Sequence, residues 1–134
     1  MKKLTLVVYT PEGKKFEENC DMVQIHGEKY FLGILPGHTS LVSDVIISKL
    51  TISNDGATTF CAVGEGVVSV EKDVVKLLVD SFEKGEEIDI ERAIASQKRA
   101  EERLKNLSDE IDVVRAKASL TRALNRISVA NQKL

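Results

Sequence analysis

The sequence predicts an α+β protein in which an N-terminal antiparallel β-sandwich is followed by a C-terminal antiparallel hairpin of two helices. Two observations support this prediction. Short apolar stretches separated by turn residues recur through the first 82 residues, which is typical of sandwiches and flattened barrels. After Gly85 there is no Pro or Gly, and apolar residues then recur every three or four positions, as on one face of a helix. We therefore place a β-sandwich at residues 1–84 and a helical hairpin at 88–134.

The predicted sandwich has about nine or ten strands. The first strand ends at the turn Thr10–Gly13, and Asn54-Asp55-Gly56 is a strong hairpin turn because its central residues tolerate positive φ. A loop containing Pro and Gly at 35–39 separates the fourth strand from the fifth. The polar segment 80–87 is expected to be a hinge between the two domains. The expected strands are residues 4–9, 15–17, 21–26, 30–34, 40–45, 46–52, 58–63, 67–71 and 74–79.

The helical segment divides into two halves. Asp89 is the expected N-cap of the first helix, because its carboxylate can accept the free amide hydrogens of the first turn. The periodicity breaks at Asn106, Ser108 and Asp109, which are expected to cap the second helix. No Pro or Gly separates the halves, so the sequence also permits one fused helix. Two helices of about 16 residues are each roughly 24 Å long, whereas one helix of about 47 residues spans roughly 70 Å.

The arginines are confined to this helical segment. Residues 1–87 hold nine Lys and fourteen acidic residues, a net charge of −5, and residues 88–134 hold ten cations and seven acidic residues, a net charge of +3. All six arginines are among those ten cations. Arginine presents a planar fork of donors that fits a carboxylate or a phosphate. The segment is therefore the expected place for binding an anion or an acidic partner, and the charge bias is too weak to indicate nucleic-acid binding.

Two arginine pairs have spacings that suit one anion. Arg92 and Arg99 are seven residues apart, and Arg122 and Arg126 are four apart, so each pair lies on one face of its helix. Antiparallel packing of the helices can bring the pairs together over a polyphosphate. The spacing alone leaves a second interpretation open, in which these side chains are solvated or paired with acidic residues one turn away.

Several classes of function are not indicated. Cys20 and Cys61 lack ligand spacing and are expected to be buried, reduced thiols rather than a disulfide or a metal site. No strand is followed by GxxxxGK, and Gly64-Glu65-Gly66 is expected to be a turn rather than a dinucleotide-binding loop. We expect no catalytic residues, no signal peptide and no membrane-spanning segment.

Three motifs in this order resemble the epsilon subunit of bacterial F-type ATP synthases over essentially the full chain. They are the loop Leu32-Gly33-Ile34-Leu35-Pro36-Gly37-His38, the segment Ile88-Asp89-Ile90-Glu91-Arg92-Ala93, and the segment Arg122-Ala123-Leu124-Asn125-Arg126-Ile127-Ser128-Val129-Ala130. The second is similar to the (I/L)DxxRA motif of those members that bind ATP. Phe31 stands where the family usually has an acidic residue, and Ser40 stands where it often has Pro. Glu28 is a nearby acidic residue that can substitute.

The resemblance implies ATP as a regulatory ligand and no catalytic cofactor. Arg92, Arg99, Arg122 and Arg126 would hold the phosphates. Glu83, Ile88 and Asp89 would face the adenine, with Asp89 accepting a hydrogen bond from its exocyclic amine. ATP would favour the folded hairpin, because the four arginines come together only in that form. Arg103 and Arg115 would contact the catalytic head.

The resemblance also implies a place in a rotary complex. The sandwich would bind the gamma subunit and the c-ring, and the extended helices would reach the alpha and beta subunits and inhibit ATP hydrolysis. The chain would lie on the cytoplasmic face of the bacterial membrane and meet the membrane only through the complex. The loop that faces the c-ring would comprise Glu28, Phe31, Gly33, Pro36, Gly37 and His38. Two alternatives are a stand-alone ATP-sensing module that binds a protein and an enzyme acting on a nucleotide.

Overall fold

Ten strands build the N-terminal part of the chain. The computed structural model describes residues 2–106 and 110–132. Every predicted strand is present, with ends that differ from the prediction by a few residues. The strands are β1 (Leu4–Thr10), β2 (Gly13–Cys20), β3 (Met22–His26), β4 (Phe31–Ile34), β5 (Leu41–Val45), β6 (Ser48–Asn54), β7 (Ala57–Val63), β8 (Gly66–Glu71), β9 (Val74–Val79) and β10 (Phe82–Lys84).

The strands form two five-stranded sheets, as a sandwich requires. The first sheet has the order β2-β1-β9-β8-β5 and the second has the order β10-β7-β6-β3-β4. The predicted fold class is confirmed, with one pairing that departs from the antiparallel pattern. Strand β1 runs parallel to β9, with Thr5 opposite Val74. A parallel pair needs a long crossover connection, and strands β2 to β8, which lie between β1 and β9 in the chain, provide it.

The core lies between the two sheets and is almost entirely aliphatic. Alternation along β9 places Val75, Leu77 and Val79 inside, while Lys76 and Leu78 point outward. The two cysteines are free and buried, as predicted. The largest fully buried side chains are Leu4, Leu6, Ile25, Ile34, Leu50 and Leu77.

Part of the segment 80–87, which is predicted to be a hinge, belongs to the second sheet. Residues Phe82–Lys84 form β10, which pairs with β7 at the edge of the second sheet. The Phe82 ring lies 5.5 Å from the Phe16 ring of the other sheet, and this contact fixes the strand. A short 3-10 turn, Gly85–Glu87, then leads toward the helices. The sequence did not predict β10, because a three-residue strand with one apolar residue has no periodicity to detect.

The helical segment forms two helices, α1 (Ile90–Asn106) and α2 (Glu110–Ala130). The Asp89 carboxylate accepts a hydrogen bond from the Arg92 amide at 3.1 Å, which confirms the predicted N-cap. Asn106, predicted as a cap of the second helix, is instead the last residue of α1, and its side-chain amide donates to the Glu102 carbonyl at 3.2 Å. Ser108 and Asp109, predicted as caps of the second helix, lie outside the described residues. Neither described helix is long and apolar enough to cross a membrane.

Alanines line the contact between the helices. Ala93 and Ala100 of α1 are seven residues apart and buried, as are Ala116 and Ala123 of α2. The helices pack along each other, and α2 in turn packs on β6, β7 and the Gly85–Glu87 turn. Small side chains at these positions allow close helix approach. The hairpin is therefore folded and docked on the second sheet through α2.

Candidate functional site

A cleft of about 450 Å³ opens where the hairpin meets the sandwich. Its walls come from the β1–β2 turn, the segment that leads into β10, and the facing sides of α1 and α2. This volume falls within the usual range for small-molecule sites. The polar and charged lining residues are Thr10, Glu12, Lys15, Asp80, Ser81, Glu83, Ser96, Ser119, Arg122, Asn125 and Arg126.

A bidentate ion pair joins the hairpin to the sandwich in this cleft. Arg126 Nε donates to Glu83 Oε1 at 2.8 Å, and the Arg126 terminal nitrogen donates to Glu83 Oε2 at 3.3 Å. Both side chains are about one-third exposed, at 28% and 31%. The planar guanidinium matches the carboxylate in this geometry. The contact therefore joins α2 to β10 with a defined orientation.

Further contacts hold α2 on the second sheet. The Asn125 amide donates to the Ser48 carbonyl at 2.8 Å, and Lys49 Nζ lies 3.3 Å from Gln132 Oε1. An apolar cluster lies between the domains and comprises Phe60, Ala62, Ile88, Val129 and Ala130. The hairpin is thus docked by polar and apolar contacts together.

The structure brings three of the seven predicted ATP-binding residues into the cleft, namely Glu83, Arg122 and Arg126. Arg99 is adjacent, because it donates to the hydroxyl of the lining residue Ser96 at 3.0 Å.

The other three predicted residues are placed differently. Ile88 is buried in the apolar cluster, and the exposed Asp89 uses its carboxylate to cap α1. Arg92 is exposed in the first turn of α1. None of these three lines the cleft.

The two predicted contacts to a catalytic head lie toward the far end of the hairpin. Arg103 is in the last turn of α1, and Arg115 is in the second turn of α2. Both side chains are exposed. Neither takes part in an ion pair with the described residues.

The predicted ring-facing loop lies around β4. Phe31 is 54% exposed, and its ring packs on the His26 ring at 4.6 Å. Gly37 has a φ of 87°, which favours glycine, and its amide donates to Asp73 Oδ1 at 2.6 Å. This hydrogen bond lowers the pKa of Asp73, with a smaller effect from Lys2. The loop is therefore tied to the β8–β9 turn.

The other residues of the predicted ring-facing loop are Glu28, Gly33, Pro36 and His38. The Glu28 amide donates to Asp44 Oδ2 at 2.8 Å, which lowers the pKa of that carboxyl. Gly33 is in β4, and Pro36 precedes Gly37 in the turn closed by the hydrogen bond from the His38 amide to the Leu35 carbonyl. Leu35 is 55% exposed.

The first sheet has an apolar outer face that is not among the sequence-based predictions. Tyr9, Leu78 and Val67 are opposite one another on adjacent strands β1, β9 and β8, and all three are exposed. Val42 on β5 is 74% exposed. The available signal was the run Val74-Val75-Lys76-Leu77-Leu78-Val79, which has apolar residues at both parities of the strand. A strand with apolar residues on both faces indicates a second buried face.

The described residues contain no group of three or more His, Cys, Asp or Glu side chains suited to a metal ion. The cleft contains guanidinium, ammonium, hydroxyl and amide donors beside the carboxylates of Glu12, Asp80 and Glu83. The guanidinium and ammonium groups are donors that suit an anion, and phosphate in particular.

Family models account for both parts of the chain. Residues 3–85 match the model of the beta-sandwich domain of the ATP synthase delta/epsilon chain. Residues 86–131 match the model of the long alpha-helix domain of the same chain.

Relatives of similar length carry the name ATP synthase epsilon chain. The chain is 41% identical to the one from Bacillus licheniformis over 130 residues, covering 97% of this chain and 99% of the relative. It is 43% identical to the one from Bacillus subtilis over 132 residues, covering 98% and 100%. It is 44% identical to the one from Bacillus thuringiensis over 133 residues, covering 99% and 100%.

Two solved structures share the fold at low identity. A chain of the Euglena gracilis mitochondrial ATP synthase aligns with a TM-score of 0.78 at 18% identity, covering 92% of this chain and 78% of that chain. A chain from the central stalk and c-ring of the Tetrahymena thermophila mitochondrial ATP synthase aligns with a TM-score of 0.67 at 12% identity, covering 97% and 98%. These likenesses concern the fold alone.

Proposed function

Since the chain belongs to the ATP synthase delta/epsilon chain family, we propose that it is the non-catalytic epsilon subunit in the central stalk of a proton- or sodium-translocating F-type ATP synthase. The observation that carries this proposal is the pair of family models, which together span residues 3–131. Identity above 40% to bacterial epsilon chains over nearly their full length supports it. In this role the chain lies on the cytoplasmic face of the membrane, held there by the complex.

The apolar outer face of the first sheet is the proposed binding face for the gamma subunit. Tyr9, Leu78 and Val67 form a row across three adjacent strands. The residue opposite Val67 on β5 is the exposed Asp44, and the exposed Val42 lies two residues away from it, opposite Ser69. An exposed apolar row of this kind is typical of protein–protein contacts. A broad, rigid sheet face suits a subunit that transmits torque.

The loop around β4 is the proposed contact to the c-ring. Phe31 and Leu35 are each more than half exposed at this end of the sandwich. The hydrogen bond between Gly37 and Asp73 fixes the loop that carries Leu35. Phe31 would make an apolar contact at the position where the family usually has an acidic residue, and the nearby Glu28 can supply the acidic group.

The hairpin is the proposed regulatory element. In the docked form, α1 and α2 have 17 and 21 residues, which corresponds to lengths of about 26 and 32 Å. A fused helix of about 47 residues would span roughly 70 Å, which is long enough to reach the alpha and beta subunits. Arg103 and Arg115, exposed toward the far end of the hairpin, would then contact the catalytic head and inhibit ATP hydrolysis.

ATP would control the choice between these forms. A ligand shifts an equilibrium only by binding one form more tightly. The cleft that contains Arg122, Arg126 and Glu83 exists only when the hairpin is docked, so a ligand of this cleft favours docking. Arg99 and Arg92 would complete the phosphate site through side-chain rearrangement. Ile88 is buried and Asp89 caps α1, so contact of these two residues with the adenine would also require a local rearrangement of the segment before α1.

Calorimetry on the isolated chain tests the ATP site. We expect ATP binding by the wild-type protein, and a loss of about tenfold in affinity for Arg122→Ala, since a charge-assisted hydrogen bond to phosphate is lost. Arg115→Ala is a matched control because that side chain is exposed outside the cleft. Equal effects of the two changes would contradict the assignment.

Co-purification tests the stalk assignment independently. We expect the chain to form a stable complex with a gamma subunit, and Leu78→Glu to abolish it by placing a charge in the apolar row. ATP binding without any gamma complex would support a stand-alone ATP-sensing module. Release of phosphate from ATP by the isolated chain would support an enzyme instead.

A further inference from the structure

A lysine of the sandwich lies in the same cleft as the arginines of the hairpin. Lys15 belongs to β2, whereas Arg122 and Arg126 belong to α2, and all three line the cleft. The proposed phosphate site is built from hairpin residues alone. The structure adds a cation from the other domain.

A β-bulge explains why Lys15 lines the cleft. Val8 of β1 is opposite Phe16, and Tyr9 is opposite Lys14, so Lys15 has no partner in the register. The extra residue of a bulge departs from the in-and-out alternation of the strand and can aim a side chain in a new direction. The neighbouring Lys14 keeps its partner and does not line the cleft.

Two cations of the cleft, Arg122 and Lys15, are available to bind an anionic ligand. Its lining has three cations and three carboxylates. Arg126 is held by Glu83, and no acidic side chain among the described residues lies within ion-pairing distance of Arg122. Lys15 pairs with Glu12 at 3.1 Å, but the Glu12 side chain is 81% exposed. Such an exposed pair contributes little stability, so Lys15 can exchange this partner for a polyphosphate.

We propose that Lys15 is an anion-binding residue that acts from the sandwich, so that a polyphosphate in the cleft is held by Lys15 on one side and by Arg122 on the other. The ligand then joins the two domains directly. It stabilises docking of the hairpin on the sandwich, in addition to folding of the hairpin. This inference rests on the proposed regulatory function, because it takes Arg122 as a phosphate ligand.

Two lysine variants with the same change in net charge test the inference. Lys14 and Lys15 are adjacent, and each forms an ion pair with a glutamate three residues away. We expect Lys15→Gln to weaken binding of ATP and of inorganic triphosphate by about fivefold, and Lys14→Gln to change it by less than about twofold. Calorimetry at fixed ionic strength gives both values, and the long-range effect of charge cancels in the comparison.

A second measurement asks whether one ligand contacts both domains. In an NMR titration with inorganic triphosphate, we expect the amides of Lys15 and Arg122 to shift with the same dissociation constant. Shifts at Arg122 alone, with equal affinities for the two lysine variants, would overturn the bridging role and leave ATP binding by the hairpin intact. Binding of triphosphate but not ATP, with the expected dependence on Lys15, would support the anion site and refute ATP sensing. If the wild-type chain binds neither compound, both proposals fail.

Discussion

The guanidinium of Arg126 and the carboxylate of Glu83 form a bidentate ion pair between the hairpin and the sandwich, with N–O distances of 2.8 and 3.3 Å. The two residues are 43 positions apart in the chain. Each side chain retains about a third of its exposure, so water reaches the pair. The contact thus holds α2 in place while staying open to competition from another anion.

We predict that Glu83→Gln weakens docking of the hairpin. Removing one charge of a partly exposed pair costs about 1 kcal/mol after allowance for solvent screening. Urea unfolding and amide hydrogen exchange in α2 measure the effect. Glu17→Gln is the matched control, because it breaks the Lys14–Glu17 pair, which is about half exposed and lies on β2. A loss of stability no larger than the control's would show that the Arg126 pair does not hold the hairpin.

Asn125→Ala is expected to destabilise the docked state by about 1 kcal/mol. The Asn125 amide donates at 2.8 Å to the Ser48 carbonyl in a partly buried position, and truncation leaves that carbonyl without this donor. Hydrogen exchange in α2 should increase, while exchange in the core strands β1 and β9 should not. Asn131→Ala, at an exposed position beyond α2, is the control. Equal exchange in the two variants would refute the prediction.

A side chain at Gly85 is expected to loosen docking of the hairpin. A Cβ atom at this position would lie 3.1 Å from the Phe60 carbonyl oxygen and 3.2 Å from that of Val129. These backbone atoms belong to β7 and α2, so Gly85→Ala should push the end of α2 away from the sheet, at a cost of about 1–3 kcal/mol.

Gly33→Ala provides the comparison for Gly85, because its Cβ would have only Met22 Sδ, at 3.9 Å, as a neighbour. Amide exchange over α2 should rise in the Gly85 variant and stay at the wild-type rate in the Gly33 variant. If amide exchange over α2 stays at the wild-type rate in both variants, the Gly85–Glu87 turn accommodates the methyl group without moving α2, and the prediction is wrong.

Because two thiols are buried, we predict that the free energy of unfolding falls at alkaline pH. Burial raises the pKa of Cys61 from 9.0 to about 12 and that of Cys20 from 9.0 to about 11. Above pH 9 the unfolded chain loses thiol protons that the folded chain keeps, so the free energy of unfolding falls as pH rises. Each thiol contributes a slope of up to about 1.4 kcal/mol per pH unit, up to its folded pKa.

Urea unfolding between pH 8 and 10.5 measures this slope. Lysines and tyrosines titrate in the same range, so the double variant Cys20→Ala with Cys61→Ala isolates the thiol contribution. We expect the variant to lose stability less steeply with pH than the wild type. Parallel curves would show that the thiols are not protected from ionisation.

Local features of this protein were predictable from the sequence because their physics involves neighbouring residues. The cap at Asp89 needs only the amides of the next turn. The turn at Asn54-Asp55-Gly56 needs two residues that accept positive φ, and Asp55 and Gly56 have φ values of 51° and 81°. These signals were enough to predict the sandwich and the two helices.

The composition of the cleft depends on contacts between residues that are far apart in the sequence. The sequence spacing suggested four arginines over one anion, but the cleft contains Arg122 and Arg126 together with Glu83 and Lys15, which belong to the sandwich. Lys15 lies there because of a bulge, and Glu83 because β10 pairs with β7. Neither feature leaves a periodic signal in the sequence.

The amino-acid sequence by itself determined the α+β class, most strand and helix positions, the first helix cap and the confinement of arginine to the hairpin. Only the tertiary structure decided where the hairpin docks, which charges meet in the cleft and which sheet face remains apolar and exposed. The reason is physical. Periodicity and capping are set by residues within one or two turns of each other, whereas docking depends on how the surfaces of separately formed elements fit.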